Sequence, residues 1–220
     1  MPDSNPSKSV VRQLLATTFA VALSQHPELH QKWIDISFRI GSLLPNSLLM
    51  MSIQDIGKID MLLRSVEKEF TPGQKDKSEI TMLAFHCQKM FSGFWIGSMY
   101  EIFRLLADRE IVPDSPEFQK LAHELRLLRI PIEKHEIAAD RKLNEPLVMQ
   151  KQPAKNDGSD QFIYDKNDKR RAHIMSSGVS HRGSCMWQVT DVSSLQSFWL
   201  ERLDLSDRII ALWGSDTQPT

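Results

Sequence analysis

The segment MFSGFWIGSMYEIFRLL, residues 90–106, decides the fold class of this chain. Apolar side chains lie on nearly every side of a helix drawn through it, and a helix that is apolar all round belongs in the centre of a protein. Gly93 and Gly97 are four residues apart, which leaves one face bare and lets another backbone approach closely. We therefore expect a long central helix, from about Ser78 to about Glu110, covered by other helices.

Further helices are predicted where apolar residues recur at spacings of three and four. Such spacing covers the segments 7–25, 28–44, 47–70 and 118–132. Pro27 and Pro116 suit the first position of a helix, and Ser115 is well placed to cap the helix that Pro116 opens. Pro131 lies inside that helix and predicts a kink, because proline lacks an N–H and clashes with the carbonyl four residues back.

The character of the sequence changes after Pro146. Residues 147–190 contain a polar, turn-rich loop and then three short strand-like runs, QFIY (161–164), RRAHIM (170–175) and SCMWQVT (184–190). A last helix is predicted between Asp191 and Gly214, with Ser193 and Gln196 at capping-box spacing. The predicted fold is mainly α. It is a helical bundle in a single domain, residues 1–220, with a small antiparallel β-hairpin or ribbon inserted before the last helix.

Bulk composition gives little direction toward a partner. The 220 residues carry a formal net charge of −1, with 41% hydrophobic residues. These values suit an ordinary globular core and do not favour a dedicated DNA-binding protein. Two cysteines, Cys87 and Cys185, are too few for a disulfide framework or a zinc cage. We interpret them as free thiols and expect a cytoplasmic protein.

The sequence predicts no membrane partner. A membrane span needs roughly 18 uninterrupted apolar residues, and the nearest segment, residues 90–103, is broken by Glu101. Basic residues followed by an apolar run give the N-terminus the outline of a secretory signal. Thr17 and Thr18 interrupt that run, and its pattern continues into polar helix. We interpret it as an amphipathic first helix, with a cleaved signal as the alternative.

Metal and cofactor motifs are incomplete in this sequence. HEIAA, which begins at His135, starts like the zinc-protease signature HExxH, but Ala139 stands where the second histidine is needed. His26 and His30 have the right spacing, yet no third ligand is indicated near them. Phosphate-binding and dinucleotide-binding glycine motifs are missing from the sequence. We therefore expect no metal and no cofactor.

The loop SGVSHRGS, residues 177–184, is a candidate anion site. It could present backbone N–H groups together with His181 and Arg182 to a negatively charged ligand. The alternative is a plain hairpin loop, because no helix begins directly after it to reinforce anion binding.

An arginine and a histidine six positions apart, Arg129 and His135, stand in the stretch LRLLRIPIEKHEIA, residues 125–138. The stretch resembles the HEPN superfamily (higher eukaryotes and prokaryotes nucleotide-binding domains). Members are helical bundles that carry an arginine, four to six residues and a histidine on a late helix, and many are metal-independent RNases. The apolar rhythm of residues 125–138 is similar to that of the family's helix.

The resemblance implies a role for each polar residue. Arg129 would hold a phosphate through its fork of donors, and His135 would act as general acid or base near neutral pH. The ribose 2′-hydroxyl would attack the adjacent phosphorus without a metal. An acid from a neighbouring helix often joins the site, and Glu101 would take that place and orient Arg104 or the histidine. Glu136 is a further candidate binding residue, and the partner implied is RNA or a nucleotide.

Three alternatives stay open, and so does the question of whether the chain is an enzyme. The polar residues can be structural, with Glu101 paired to Arg104 on its own helix, since an isolated buried charge is costly. The chain can be a non-catalytic interaction protein that forms a homodimer. It can also bind a small ligand between helices, in a pocket lined by Trp95 and Phe103. An antiparallel packing of the fourth and fifth helices would bring Glu101 within reach of Arg104 or Arg129.

Overall fold

The computed structural model of the chain describes residues 9–70, 79–112, 115–150 and 161–214. Within these ranges the α-helices are α1 Val10–Gln25, α2 Pro27–Leu43, α3 Leu49–Glu69, α4 Glu79–Asp108, α5 Pro116–Lys134 and α6 Arg202–Gly214. The strands are β1 Leu147–Gln150, β2 Gln161–Tyr164, β3 Ser177–Val179, β4 Cys185–Asp191 and β5 Gln196–Glu201. The prediction of a mainly α chain with a small β insertion before the last helix is confirmed.

Local signals in the sequence placed the starts of α2 and α5 correctly. Pro27 opens α2, and Pro116 opens α5 after Ser115, whose hydroxyl accepts a hydrogen bond from the N–H of Phe118 at 3.2 Å. Pro131 is buried inside α5 and does not end it. The helix ends four residues later, where His135 takes the left-handed conformation (φ 56°, ψ 29°) and its N–H donates to the Pro131 carbonyl.

The strands form two small antiparallel sheets. β1 pairs with β2, and β4 lies between β3 and β5 in a three-stranded sheet. In β1 and β2 exposed and buried positions alternate, and Tyr164 of β2 packs with Ile137, Leu143 and Val192 in one apolar cluster. This alternation is what a sheet covered on one side produces.

Three sequence predictions about the β insert are wrong. The run RRAHIM (170–175) is not a strand, and three strands, β1, β3 and β5, lie outside the runs in which strands were predicted. The last helix does not follow Asp191. That carboxylate instead accepts bonds from the N–H and hydroxyl of Ser193, Leu195 takes a positive φ of 54°, and the chain returns as β5. Pairing with β4 therefore outweighs the helical spacing over residues 196–201, and the last helix begins only at Arg202.

The described residues fall into two compact units. Unit 1 contains residues 9–70, 79–91, 181–184 and 206–214, and unit 2 contains residues 92–112, 115–150, 161–180 and 185–205. Each is described by itself below. The prediction of a single domain stays a prediction.

In unit 1, α3 packs against α1 and α2. Gly57 of α3 makes the approach to α2 possible, because a Cβ at this position would lie 2.6 Å from the ring of Trp33. The buried indole N–H of Trp33 donates to the carboxylate of Asp60 at 3.0 Å. Asp60, itself fully buried, also accepts from Arg64 at 3.0 Å and from the hydroxyl of Ser206 at 2.8 Å. A satisfied carboxylate thus stands at the centre of this unit.

One face of α1 is covered at one end only. Ala22 is buried beside Met61 and Leu62, whereas Val11, Leu14 and Leu15 are 57–74% exposed. Leu15 and Ala22 are seven residues apart and lie on the same helical face. The apolar face of α1 therefore extends beyond the part of it that other described residues cover.

The length and apolarity of the described helices bear on the prediction about membrane spans. Within the described ranges, no helix combines the length and the apolarity that crossing a bilayer requires. Even α4, the longest at 30 residues, does not meet both conditions.

Candidate functional site

In unit 2, helices α4 and α5 pack in opposite directions. The contacts that join them run in opposite directions along the two helices: Gly93 and Gly97 lie near Ile132 and Glu133, Glu101 meets Arg129, and Phe103 stacks on Phe118. The antiparallel arrangement places the polar residues that the sequence singled out on α4 next to Arg129 of α5. At Gly97 the lack of a side chain is what admits the Glu133 carboxylate, because a Cβ would collide with it.

Arg129 is held on three sides. Its Nε lies 2.6 Å from a carboxylate oxygen of Glu133, one turn further along α5, and a terminal nitrogen lies 3.4 Å from Glu101 of α4. The guanidinium also lies over the ring of Tyr100, 5.3 Å from its centroid, which is cation–π range. The Arg129 side chain is 19% exposed to solvent. The expectation that Glu101 comes within ion-pair reach of Arg129 is confirmed.

Arg104 extends the same cluster on the side of α4. It forms ion pairs of 2.8 Å with Glu101 and with Asp108, which confirms the expected pairing of Glu101 with its helical neighbour. The hydrogen bond and charge of Glu101 raise the pKa of Arg104 further above its usual value. We name these five residues, Glu101, Arg104, Asp108, Arg129 and Glu133, the Arg129 cluster. With two guanidinium groups and three carboxylates, its formal charge is −1.

The exposure of Glu101 differs from the prediction. Its side chain is 46% exposed, although its neighbours Ile102 and Phe103 are buried. Glu101 is therefore not a buried charge, and its removal leaves Arg129 still paired with Glu133. Surface ion pairs of this kind contribute about 0–1 kcal/mol, not the several kcal/mol expected of a buried charge left alone.

His135 belongs to a different set of contacts from Arg129. It is exposed, lies just after the end of α5, and its carbonyl accepts the N–H of His173 at 2.7 Å. Within the described residues, no hydrogen bond or ion pair joins His135 to Arg129. Both residues were predicted to lie on one helix. The left-handed conformation of His135, which ends α5 at this point, was not predicted.

Glu136 forms an ion pair with Arg171, an arginine that was not among the predicted site residues. Arg171 forms ion pairs of 2.8 Å with Glu136 and with Asp140. The hydroxyl of Tyr164 donates to Asp140 at 2.9 Å and accepts from the N–H of Ile137 at 3.1 Å. Burial raises the pKa of the Tyr164 phenol, and Asp140 raises it further. Glu136 is therefore part of an ion-pair network that ties the segment after α5 to the β insert.

The predicted anion loop is divided between the two units: residues 177–180, which include strand β3, belong to unit 2, and residues 181–184 belong to unit 1. His181 is exposed at a turn, and Arg182 forms an ion pair of 3.1 Å with Asp207. Gly183 takes a positive φ of 79° and lies against the backbone carbonyl of Glu67, where no Cβ would fit. Arg182 thus already has a carboxylate partner, and the loop's close approach to α3 has a packing reason.

The two aromatic residues that were predicted to line a small-ligand pocket between helices are not open to such a pocket. Trp95 and Phe103 are both fully buried. Phe103 stacks on Phe118 with ring centroids 4.9 Å apart, and Arg202 lies over Trp95. Open space in unit 2 lies beside His173, among the strands, and near Phe118, where α4 ends and α5 begins. The cleft beside His173 was not predicted, because His173 stands in a run interpreted as a strand.

Comparison with known proteins gives no family. No protein-family model, curated protein or solved structure matches the chain. Among the residues that the structure describes, no three histidine, cysteine or acidic side chains are grouped so as to hold a metal ion. The chemistry of the Arg129 cluster is accordingly that of its guanidinium and carboxylate groups.

Proposed function

We propose that the chain is a HEPN-like helical protein that binds RNA or a nucleotide through a phosphate, with Arg129 as the phosphate-binding group. One observation carries the proposal. Arg129 of α5 meets Glu101 of α4 across an antiparallel helix pair, and the HEPN resemblance implies this combination of an arginine and an acid from a neighbouring helix. Guanidinium groups bind phosphate oxygens in pairs, with the planar geometry that they use for carboxylates.

Phosphate binding at this site is a competition. Arg129 is already orientated by Tyr100 and keeps part of its surface open to solvent. A carboxylate oxygen of Glu133 lies 2.6 Å from the buried Nε, which makes no hydrogen bond of good geometry among the described residues, and the formal charge of the whole cluster is −1. A phosphate must therefore displace the Glu133 carboxylate, which is 39% exposed and free to swing into water. Glu133 in this account limits the affinity for phosphate.

The proposal stops at binding. An RNase of the type implied by the resemblance needs an arginine and a histidine on the same phosphodiester, since proton transfer needs hydrogen-bond reach of about 3 Å. Arg129 and His135 lie in separate contact networks within the described residues. Binding needs only Arg129 and its surroundings.

The proposal predicts opposite effects for the two members of the closest ion pair. Glu133→Gln should tighten binding of a labelled single-stranded RNA about three- to tenfold, because it removes the ionised competitor. Arg129→Gln should weaken binding about tenfold, a loss of about 1.4 kcal/mol. Both are measured by fluorescence anisotropy at low salt, because phosphate contacts weaken as salt rises.

Matched controls separate this site from a general charge effect. Arg170 is 93% exposed and Glu145 is exposed, and both lie in unit 2. Arg170→Gln and Glu145→Gln make the same changes of charge away from the cluster and should alter RNA affinity less than about twofold. If the wild-type protein binds no RNA and Glu133→Gln binds none either, the proposal is wrong.

A second candidate function, self-association without catalysis, is favoured by the face of α1 that the other described residues leave exposed. Val11, Leu14 and Leu15 present a continuous apolar stripe, and an exposed apolar stripe is typical of an interaction surface. A twofold pairing of this face with that of a second copy would bury it. Light scattering of the wild-type protein should then show a dimer, and Leu14→Glu a monomer. Phe38→Glu, at another exposed apolar position in unit 1, is the control. A monomeric wild type would rule this candidate out.

A further inference from the structure

A small cleft opens among the strands of unit 2. Its volume is about 180 Å³, and it lies between β1, the segment before β3, and the β4–β5 pair. Gln188 and Thr190 are two residues apart on β4 and therefore face the same side of the sheet. Ser197 of β5 stands opposite Thr190, and the two hydroxyls lie 3.1 Å apart. This side of the sheet supplies one polar wall of the cleft.

His173 supplies a buried polar group that nothing in the described residues satisfies. It lines the cleft, is only 6% exposed, and its Nδ1 has no hydrogen-bond partner among those residues. Buried polar atoms in native proteins nearly always have a partner, so an orphan in a cleft wall points to a ligand or to water. The ring is also fixed in place. Its backbone N–H bonds to the carbonyl of His135, and Tyr164 packs against it edge-on at 6.4 Å.

The cleft contains no charged side chain among its described lining residues. Burial lowers the pKa of His173, so its imidazole is neutral at physiological pH. A phosphate, a carboxylate or an ammonium group would therefore enter without a counter-charge, which is unfavourable. The side-chain amides of Gln150 and Gln188 each offer hydrogen-bond donors and an acceptor. The chemistry of the lining suits an uncharged ligand with donors and acceptors on its edge.

Size and apolar surface narrow the ligand further. At about 180 Å³ the cleft is smaller than the pockets of roughly 300–1,000 Å³ that hold drug-sized ligands. Val148 and Ile174 add apolar side chains that are 66% and 83% exposed, although both line the cleft. Apolar walls suit the faces of a flat ring, while glutamine side chains suit the hydrogen-bonding edge of a nucleobase.

We propose that this cleft binds a single-ring, uncharged nitrogen heterocycle of the pyrimidine-base type. The ring edge bonds to Gln150, Gln188 and the unpartnered Nδ1 of His173, and the ring faces contact Val148 and Ile174. The inference goes beyond phosphate binding by the Arg129 cluster and stands without it. Nucleosides carry no phosphate, so their binding reports on the cleft alone.

The test is a titration of the full chain with uridine and cytidine, followed through the ring ¹⁵N resonances of His173. We expect one of the two to shift the Nδ1 resonance in a saturable way. Adenosine and guanosine, whose two-ring bases present a different hydrogen-bonding edge, should bind at least about tenfold more weakly, and ribose should cause no shift. The absence of a saturable shift with both pyrimidine nucleosides, or an equal response to ribose, would overturn the proposal.

Variants localise the effect to the cleft. His173→Phe keeps a ring but removes Nδ1 and should weaken binding about tenfold or more. His173→Asn returns a polar atom near the position of Nδ1 and should restore affinity to within about threefold of the wild type. Gln150 is exposed, so the substitution Gln150→Leu leaves the core unchanged. It should also weaken nucleoside binding about tenfold. Unchanged affinity in Gln150→Leu and His173→Phe would show that the nucleoside binds elsewhere.

Discussion

Asp60→Ala is expected to lower the free energy of unfolding by about 3–5 kcal/mol, the usual loss when one partner of a buried charged network is removed. Asp60 is fully buried and accepts hydrogen bonds from Trp33, Arg64 and Ser206. Alanine leaves the indole N–H of Trp33 without this acceptor and Arg64 with one carboxylate fewer. Urea denaturation followed by circular dichroism gives the change directly.

The same helix offers a matched control for Asp60. Asp55 is 66% exposed and pairs only with Lys58, at 2.8 Å, three residues on. Asp55→Ala should change the free energy of unfolding by at most about 0.5 kcal/mol, as an exposed ion pair does. Equal effects of the two substitutions would show that burial of Asp60 does not stabilise unit 1 as described.

The second large effect is expected at Asp140. Asp140→Ala removes the acceptor of the Tyr164 hydroxyl and one of the two carboxylates of Arg171, so we expect a loss of about 2–3 kcal/mol. Tyr164 is 1% exposed, and its hydroxyl would keep its bond from the N–H of Ile137 and its interaction with the Arg171 side chain. The measurement is again the free energy of unfolding in urea.

An exposed acid of the same unit is the control for Asp140. Asp168 is 49% exposed and lies 3.8 Å from Arg170, a long contact at the surface. Asp168→Asn keeps the turn hydrogen bonds that a side-chain oxygen can accept and should cost less than about 0.5 kcal/mol. A loss at Asp140 no larger than at Asp168 would mean that the Arg171 network does not hold the segment after α5 in place.

The helical part of the fold could be predicted because its signals are local. Pro27 and the pair Ser115–Pro116 mark helix starts through backbone and capping chemistry that needs no distant partner. The error at β5 has the opposite cause. Residues 195–213 satisfy a helical spacing, and Ser193 and Gln196 resemble a capping box, but pairing with β4 decides the structure. Such pairing is not visible in the segment itself.

The candidate site was predictable only in part. Two helices with polar positions on otherwise apolar stretches are enough to predict that Glu101 and Arg129 meet, and they do. Which side of α4 is left uncovered depends on the rest of unit 2, so the exposure of Glu101 was not predictable. Asp60 was missed for the same reason, since its partners Trp33 and Ser206 lie 27 and 146 residues away in sequence.

The most direct test of phosphate binding by Arg129 is a double-mutant cycle on RNA affinity with Arg129→Gln and Glu133→Gln. A glutamate-to-glutamine change away from the cluster alters RNA affinity by less than about twofold through long-range charge, whereas coupling between two substitutions reports contact. We expect the three- to tenfold gain of Glu133→Gln to disappear when Arg129 is also replaced, since Glu133 then has no phosphate-binding group to release. The same gain in both backgrounds would contradict phosphate binding by Arg129.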